Sequence, residues 1–198
     1  MSDRKRIIIE VSEELHQAWP QFQGAAVFAT VKNSAYSEAL WAKIEEFTTL
    51  YRSKYTTDSI KEMPAIQATR AAYKKCGKDP SRYRPSSEAL CRRILRGIPL
   101  YQIDTLVDLI NLASIYSGHS IGGFDLDKIQ GNRLILGIGK AGEPYEGIGR
   151  GELNIEGMPV YRDSVGGIGY QIPAPAMVAE PSIVDALKKD PQIQEILE

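Results

Sequence analysis

Apolar and polar positions alternate weakly over Arg6–Val11, where three isoleucines stand among charges, and this pattern predicts a strand. Ser12 follows in the position of a helix cap. Glu13 and Glu14 fall in the first turn, where the helix dipole favours them, and Pro20 ends the short helix. The small and apolar run Gly24–Val31 predicts a buried second strand, closed by a turn at Asn33-Ser34. From about Ser37 to Tyr51, Leu40, Ile44, Phe47 and Tyr51 recur at helical spacing with Trp41 beside them, which predicts an amphipathic helix.

Met63-Pro64 opens the next predicted helix, with proline in the first turn, and Gly77 stops it. After a turn at Asp79-Pro80-Ser81, the segment Pro85-Ser86-Ser87-Glu88 opens another helix. That helix turns Leu90, Ile94 and Leu95 inward and stops at Gly97. Residues from about Asp104 to Tyr116 are apolar nearly all round, which predicts a buried helix. Asp104, Asp108 and Asn111 interrupt it on one stripe, at steps of four and three residues. Two readings stand open for them: they tie neighbouring loops together, or Asn111 faces a pocket.

Past Gly118 the pattern changes. Ile121–Asp127 is a glycine-bearing turn or short strand, Arg133–Ile138 a strand, and Met158–Arg162 another, with many glycines between them. The letters Gly137-Ile-Gly139-Lys-Ala-Gly142 match a dinucleotide fingerprint, but Glu143-Pro144 opposes the helix such a fingerprint needs. Beyond it, Pro173-Ala-Pro175 reads as a linker, with short helices predicted at Ser182–Leu187 and Ile193–Leu197. The fold expectation is α+β: a strand–helix–strand start, buried central helices and a glycine-rich β half. It forms one domain over residues 1–170, followed by a proline-containing linker and short helical tail over 171–198.

Composition excludes several classes. Hydrophobic content of 43% and charged content of 25% are ordinary for a globular chain, so neither disorder nor a fibrous repeat is indicated. No run of about 18 apolar residues exists to span a membrane. Glu10 ends the Ile7–Ile9 run well short of a signal-peptide core, so a cytoplasmic protein with reduced Cys76 and Cys91 is expected. His16 and His119 stand alone and no CxxC occurs, so neither a metal nor any other cofactor is expected. Between Arg70 and Arg96 nine basic residues face only Asp79 and Glu88. This cluster, including Arg82, Arg84, Arg92, Arg93 and Arg96, is either a solvated helical face or a phosphate-facing surface.

Three stretches in this order and spacing resemble one known family. They are Tyr83–Gly97 (YRPSSEALCRRILRG), Ile103–Leu112 (IDTLVDLINL) and Gly122–Ile129 (GGFDLDKI) followed by Gly131. Together they are similar to the B3/B4 domain of the phenylalanyl-tRNA synthetase beta subunit, especially its free-standing relatives, over roughly residues 5 to 169. The resemblance implies an α+β domain that hydrolyses tyrosine wrongly joined to the phenylalanine tRNA. An aminoacyl ester is already activated, so a held water and polar groups at the carbonyl suffice without a dedicated nucleophile. The implied catalytic positions are Asn111, Gly122 and Gly123. The implied substrate-binding positions are Asp108, Glu152, Gly166 and Gly167, the last two in a loop resembling one beside the family's pocket. The implied RNA-binding positions are the five arginines above, and the implied partner is tRNA or aminoacyl-tRNA, with no DNA and no membrane. Ile110 and Gly122 stand where the synthetase has a threonine and a histidine. Glu143 and Glu152 are the candidates for the acid that would read a tyrosine hydroxyl, each more simply a solvated loop carboxylate. A non-catalytic module binding RNA or a small aromatic ligand is the alternative. No stretch resembles the synthetase's catalytic or anticodon-binding modules, so the chain is not expected to charge tRNA by itself.

Overall fold

A computed structural model describes residues 6–147 and 151–168. The described residues form β1 (Ile8–Val11), α1 (Glu13–Ala18), α2 (Glu38–Lys54), α3 (Pro64–Lys75), α4 (Ser86–Leu95), α5 (Thr105–Ser117), β2 (Arg133–Ile138), β3 (Glu146–Gly147), β4 (Gly151–Glu152) and β5 (Pro159–Arg162). A short 3-10 turn, Ser59–Glu62, precedes α3. The fold is α+β, and its residues group into two compact units.

One unit comprises residues 6–22, 69–84 and the described part of 122–168, and it is organised by a three-stranded sheet in the order β1-β2-β5. β1 runs parallel to β2, with Ile8 opposite Arg133 and Val11 opposite Leu136. β5 runs antiparallel to β2, with Leu136 opposite Tyr161. Alternation along β2 sends Leu134 and Leu136 inward, and Leu15 of α1, Ile155, Val160 and Tyr161 are buried with them. The Ser12 side chain accepts from the Leu15 amide at 3.2 Å, which is the cap the sequence predicts. Arg133 bonds the Glu10 carboxylate at 2.6 Å, so the strand pairing carries an ion pair between neighbouring strands.

The glycines of this half serve close backbone approach. A side-chain carbon on Gly139 would lie 2.0 Å from the Ile155 carbonyl oxygen, and one on Gly157 would lie 2.9 Å from the Cys76 carbonyl. Gly157 also holds a φ of +70°, which side chains oppose.

The other unit comprises residues 23–68 and 85–121 and is helical. Ile44 and Tyr51 of α2, Ile60, Ile66, Cys91 and Ile94 of α4, Leu100, and Leu112 and Ile115 of α5 form one buried cluster. Leu40, Trp41, Phe47 and Met63 pack on it. The predicted boundaries of these helices hold because their caps are present. The Ser37 side chain accepts from the Leu40 amide and that of Asp104 from the Val107 amide. Gly97 and Gly118 adopt the left-handed conformation just past α4 and α5.

One predicted element is absent. Residues 24–31 form no strand and are not buried: Val27, Phe28 and Val31 keep 72%, 54% and 52% of their surface exposed. An apolar run records only the capacity to pair, and no described strand lies beside this one to complete a ladder. The Asn33-Ser34 turn does form. Asn33 Oδ1 accepts from the Leu106 amide at 3.0 Å and from the Thr105 hydroxyl at 2.8 Å, which fastens the end of this segment to the start of α5. The expected boundary near residue 170 and the tail helices lie outside the described residues.

Replacing Gly139 with alanine is expected to destabilise the protein by about 1–3 kcal/mol or more, because the backbone of Ile155 must move to admit one carbon. A urea midpoint for Gly139→Ala equal to that of the wild type would contradict this close approach.

Candidate functional site

α5 carries the polar stripe. Asp104 caps its first turn through the Val107 amide at 2.8 Å. Asp108 is buried, and both of its carboxylate oxygens are engaged. Oδ2 accepts from the Trp41 indole at 2.8 Å and Oδ1 from the Ile103 amide at 3.1 Å. Its observed role therefore joins α2, the loop before α5 and α5 itself. One turn further on, Asn111 is half-buried, and its side-chain amide makes no hydrogen bond among the described residues. Ile110 beside it offers no polar side chain. Asn111 is thus the member of the stripe whose side chain is not committed to a neighbour among the described residues.

The start of α4 lies in the same unit. The Ser87 hydroxyl and the Ser120 hydroxyl are 3.3 Å apart and both residues are buried. The Ser114 hydroxyl donates to the His119 carbonyl at 2.6 Å. These contacts fix the chain between Gly118 and Ile121, which leads into Gly122 and Gly123.

Gly122 and Gly123 are half-buried and outside regular structure, in the sheet-containing unit. Next to them Phe124 sets its ring edge-on against Tyr161, with centroids 5.4 Å apart. Gly166 and Gly167 belong to a loop that Asp163 shapes. Asp163 Oδ1 accepts from the Val165 amide at 2.9 Å and the Gly166 amide at 3.3 Å, and Oδ2 accepts from the Gln130 amide at 2.8 Å. A side-chain carbon on Gly167 would lie 3.2 Å from the Tyr145 ring and 3.6 Å from Glu143. Glu143 is ion-paired. Arg162 Nε donates to it at 2.6 Å, and the Lys140 amide donates to it at 2.9 Å. The bond from Arg162 holds its carboxyl below the usual carboxylate range. Glu143 is therefore occupied within the protein, while Glu152 is exposed on β4.

The structure divides the basic cluster into anchored and exposed members. Arg92 Nε pairs with the buried Glu88 at 2.9 Å. Arg93 lies over the Tyr101 ring with its guanidinium carbon 3.9 Å from the centroid. Arg70 bonds the Pro80 carbonyl, and Lys78 is buried, donating to the Glu156 carbonyl. Arg82, Arg84 and Arg96 are exposed.

Within one unit the structure thus places Asp108 and Asn111 a turn apart on α5, with Arg92, Arg93 and Arg96 on α4 and at its end. Gly122, Gly123, Gly166, Gly167, Glu152, Arg82 and Arg84 belong to the other unit. Sequence reasoning missed Asp163 as the residue organising the glycine loop. The signal was present: an aspartate three residues before a glycine is the side-chain-to-backbone turn seen here. It also missed Tyr101, whose stacking on Arg93 needs a chain reversal that no local pattern announces. Among the described residues no group of three or more His, Cys, Asp or Glu side chains is placed to hold a metal. No helix there is long and apolar enough to cross a membrane.

The Glu143–Arg162 pair makes stability depend on acid. A carboxyl held low in the folded state stabilises it above the ordinary value of 4.5, and that contribution is lost as pH falls through the lower folded value. Denaturant unfolding from pH 7 down to pH 3 is expected to show a smaller acid-induced loss for Glu143→Gln than for the wild type. Parallel stability curves for the two proteins would rule out this linkage.

A family model described as the B3/4 domain matches residues 68–182, more than half of the chain. The match takes in α4, α5, the GGFD segment and the glycine-rich half, and begins inside α3, after β1, α1 and α2. No curated protein and no solved structure matches the chain. The segment that carries Asn111, Gly122, Gly123 and the Asp163 loop is the segment matched, and the chain belongs to the B3/4 domain family, the domain found in the phenylalanyl-tRNA synthetase beta subunit.

Proposed function

We propose that this protein is a trans-acting deacylase that removes a wrong amino acid, tyrosine or a similar one, from a mischarged tRNA. The observation that carries this reading is Asn111: a half-buried side-chain amide without a partner among the described residues, on a largely apolar helix of the family segment. A half-buried amide not committed to a protein partner is suited to orient a polar group on a ligand. An aminoacyl ester needs no more than a positioned water and a donor for the developing oxyanion. Asp108 supports this role indirectly by holding α5 in place through Trp41 and Ile103. Arg82, Arg84 and Arg96 are exposed cations available to the tRNA backbone, as are Lys74 and Lys75 of the same cluster.

A second reading, a non-catalytic module binding RNA or a small aromatic ligand, is favoured by one particular. Gly122 occupies the position of the synthetase's pocket histidine, and Glu143 is taken by Arg162. The two readings separate on turnover. Deacylation of tyrosyl-tRNA for phenylalanine is expected from the wild type. In Asn111→Ala it should fall by about 10²-fold, the usual cost of removing one oxyanion donor, with the fold retained because the amide bonds nothing among the described residues. Equal rates in the two proteins would remove Asn111 from the chemistry. A flat time course for both, with salt-dependent RNA binding intact, would establish the binding module instead.

A further inference from the structure

The connector between α4 and α5 is held at both ends. At the end of α4, the Gly97 amide donates to the Ile94 carbonyl at 2.8 Å and the Ile98 amide to the Arg93 carbonyl at 3.0 Å, with Gly97 at a φ of +71°. This is the two-bond left-handed helix stop, and it reverses the chain. Leu100 is then buried in the helical core, and at the far end the Ile103 amide is held by Asp108. Between these anchors the residues that flank Leu100 point outward, with Ile98 42%, Tyr101 49% and Ile103 55% exposed.

Arg93 is fixed against this connector twice. Its Nε donates to the Pro99 carbonyl, and its guanidinium lies flat enough to place the central carbon 3.9 Å from the Tyr101 ring centroid. Beside this cation Tyr101 keeps about half of its surface in solvent. Arg96 is exposed three residues further along, on the neighbouring position of the same helix surface. From Ala89 to Ile103 the chain contains three arginines and no acidic residue. A rigidly mounted aromatic face, backed by one guanidinium and flanked by a second, has the two parts that single-stranded nucleic acid requires: a stacking platform for a base and a cation for its phosphate.

We infer that the Arg93–Tyr101 stack is a binding surface for an unpaired RNA base, with Arg96 contacting the adjoining phosphate. This rests on the reading that RNA is the partner, and it adds where an unpaired strand is held and by which residues. A duplex offers no free base face, so the surface discriminates single strands from duplex. A polypeptide carries no comparable run of anions paired with planar groups, and Arg93 and Arg96 beside the exposed ring favour RNA over it.

The test is fluorescence anisotropy on the full chain with labelled oligoadenylate, alone and annealed to oligouridylate, over a range of salt. The single strand should bind more tightly than the duplex. Tyr101→Ala should weaken binding to the single strand about tenfold or more, and Tyr101→Phe should bind as the wild type does. Arg96→Ala should lower the slope of log affinity against log salt by about one. Thermal unfolding of each variant checks that the exposed substitutions leave the fold intact. The inference is overturned by unchanged affinity in Tyr101→Ala, by equal losses in Tyr101→Ala and Tyr101→Phe, by a preference for duplex, or by no salt-dependent binding in the wild type. Deacylation assays on the same preparations separate it from the proposed activity. Tyr101-dependent binding without turnover leaves this surface standing and removes the hydrolase. Turnover with Tyr101-independent binding does the reverse.

Discussion

The helical unit depends on one buried carboxylate. Asp108 holds the Trp41 indole on one oxygen and the Ile103 amide on the other. Removing that carboxylate would leave two partly buried donors without their acceptor, and a buried carboxylate with both oxygens engaged fixes the arrangement. Its consequences spread along the chain. α2 is fixed to α5, the connector before α5 is fixed to the helix it precedes, and Asn111 is presented one turn beyond a residue that cannot move. The same carboxylate also sets one end of the segment that carries Tyr101. The half-buried amide and the exposed ring are therefore positioned by a common anchor, although they serve different chemistry in the readings developed above.

The two halves of the chain solve the packing problem differently. In the helical unit, side chains fill the space: Tyr51, Cys91, Ile94 and Leu112 meet in one cluster, and burial, with the Glu88 charge adding to it, pushes the Cys91 thiol up to about 11, which keeps it neutral. In the sheet-containing unit, backbone meets backbone. Gly139 lies against Ile155 and Gly157 against the Cys76 carbonyl, at separations that leave no room for a side chain. The many glycines after residue 136 are accordingly more than flexible punctuation. Several are contact surfaces, and this explains why a fingerprint-like spacing occurs here without a phosphate-binding helix behind it.

Most helices were legible in the sequence because their ends are local chemistry. Ser12, Ser37 and Asp104 cap, Pro64 starts, and Gly77, Gly97 and Gly118 stop, each within a few residues of the predicted place. Strands β2 and β5 were legible as short apolar runs set off by glycines. Residues 24–31 were misread because a strand is a relation between two segments, and one segment alone cannot state it. The site was legible at the level of family and only partly at the level of roles. Arg92 and Arg93 count as positive charges in any sequence tally, yet Glu88 and Tyr101 hold them. Glu143 and Asp108 likewise look available until Arg162 and Trp41 are seen beside them. Charge is written in the sequence, but its commitment to a neighbour depends on distance in space.

The open segment at residues 24–31 has a further consequence. Its backbone amides and carbonyls make no hydrogen bonds to other described residues, and its side chains stand in water up to the Asn33 anchor. A segment with free backbone groups and no regular structure can be gripped by a protease cleft without any helix or sheet unravelling first. Cleavage here would cut the polypeptide ahead of α2 while leaving the capped helices and the Asp108 tie untouched. Susceptibility of this segment to cleavage is therefore set by its local exposure and not by the global stability of the fold.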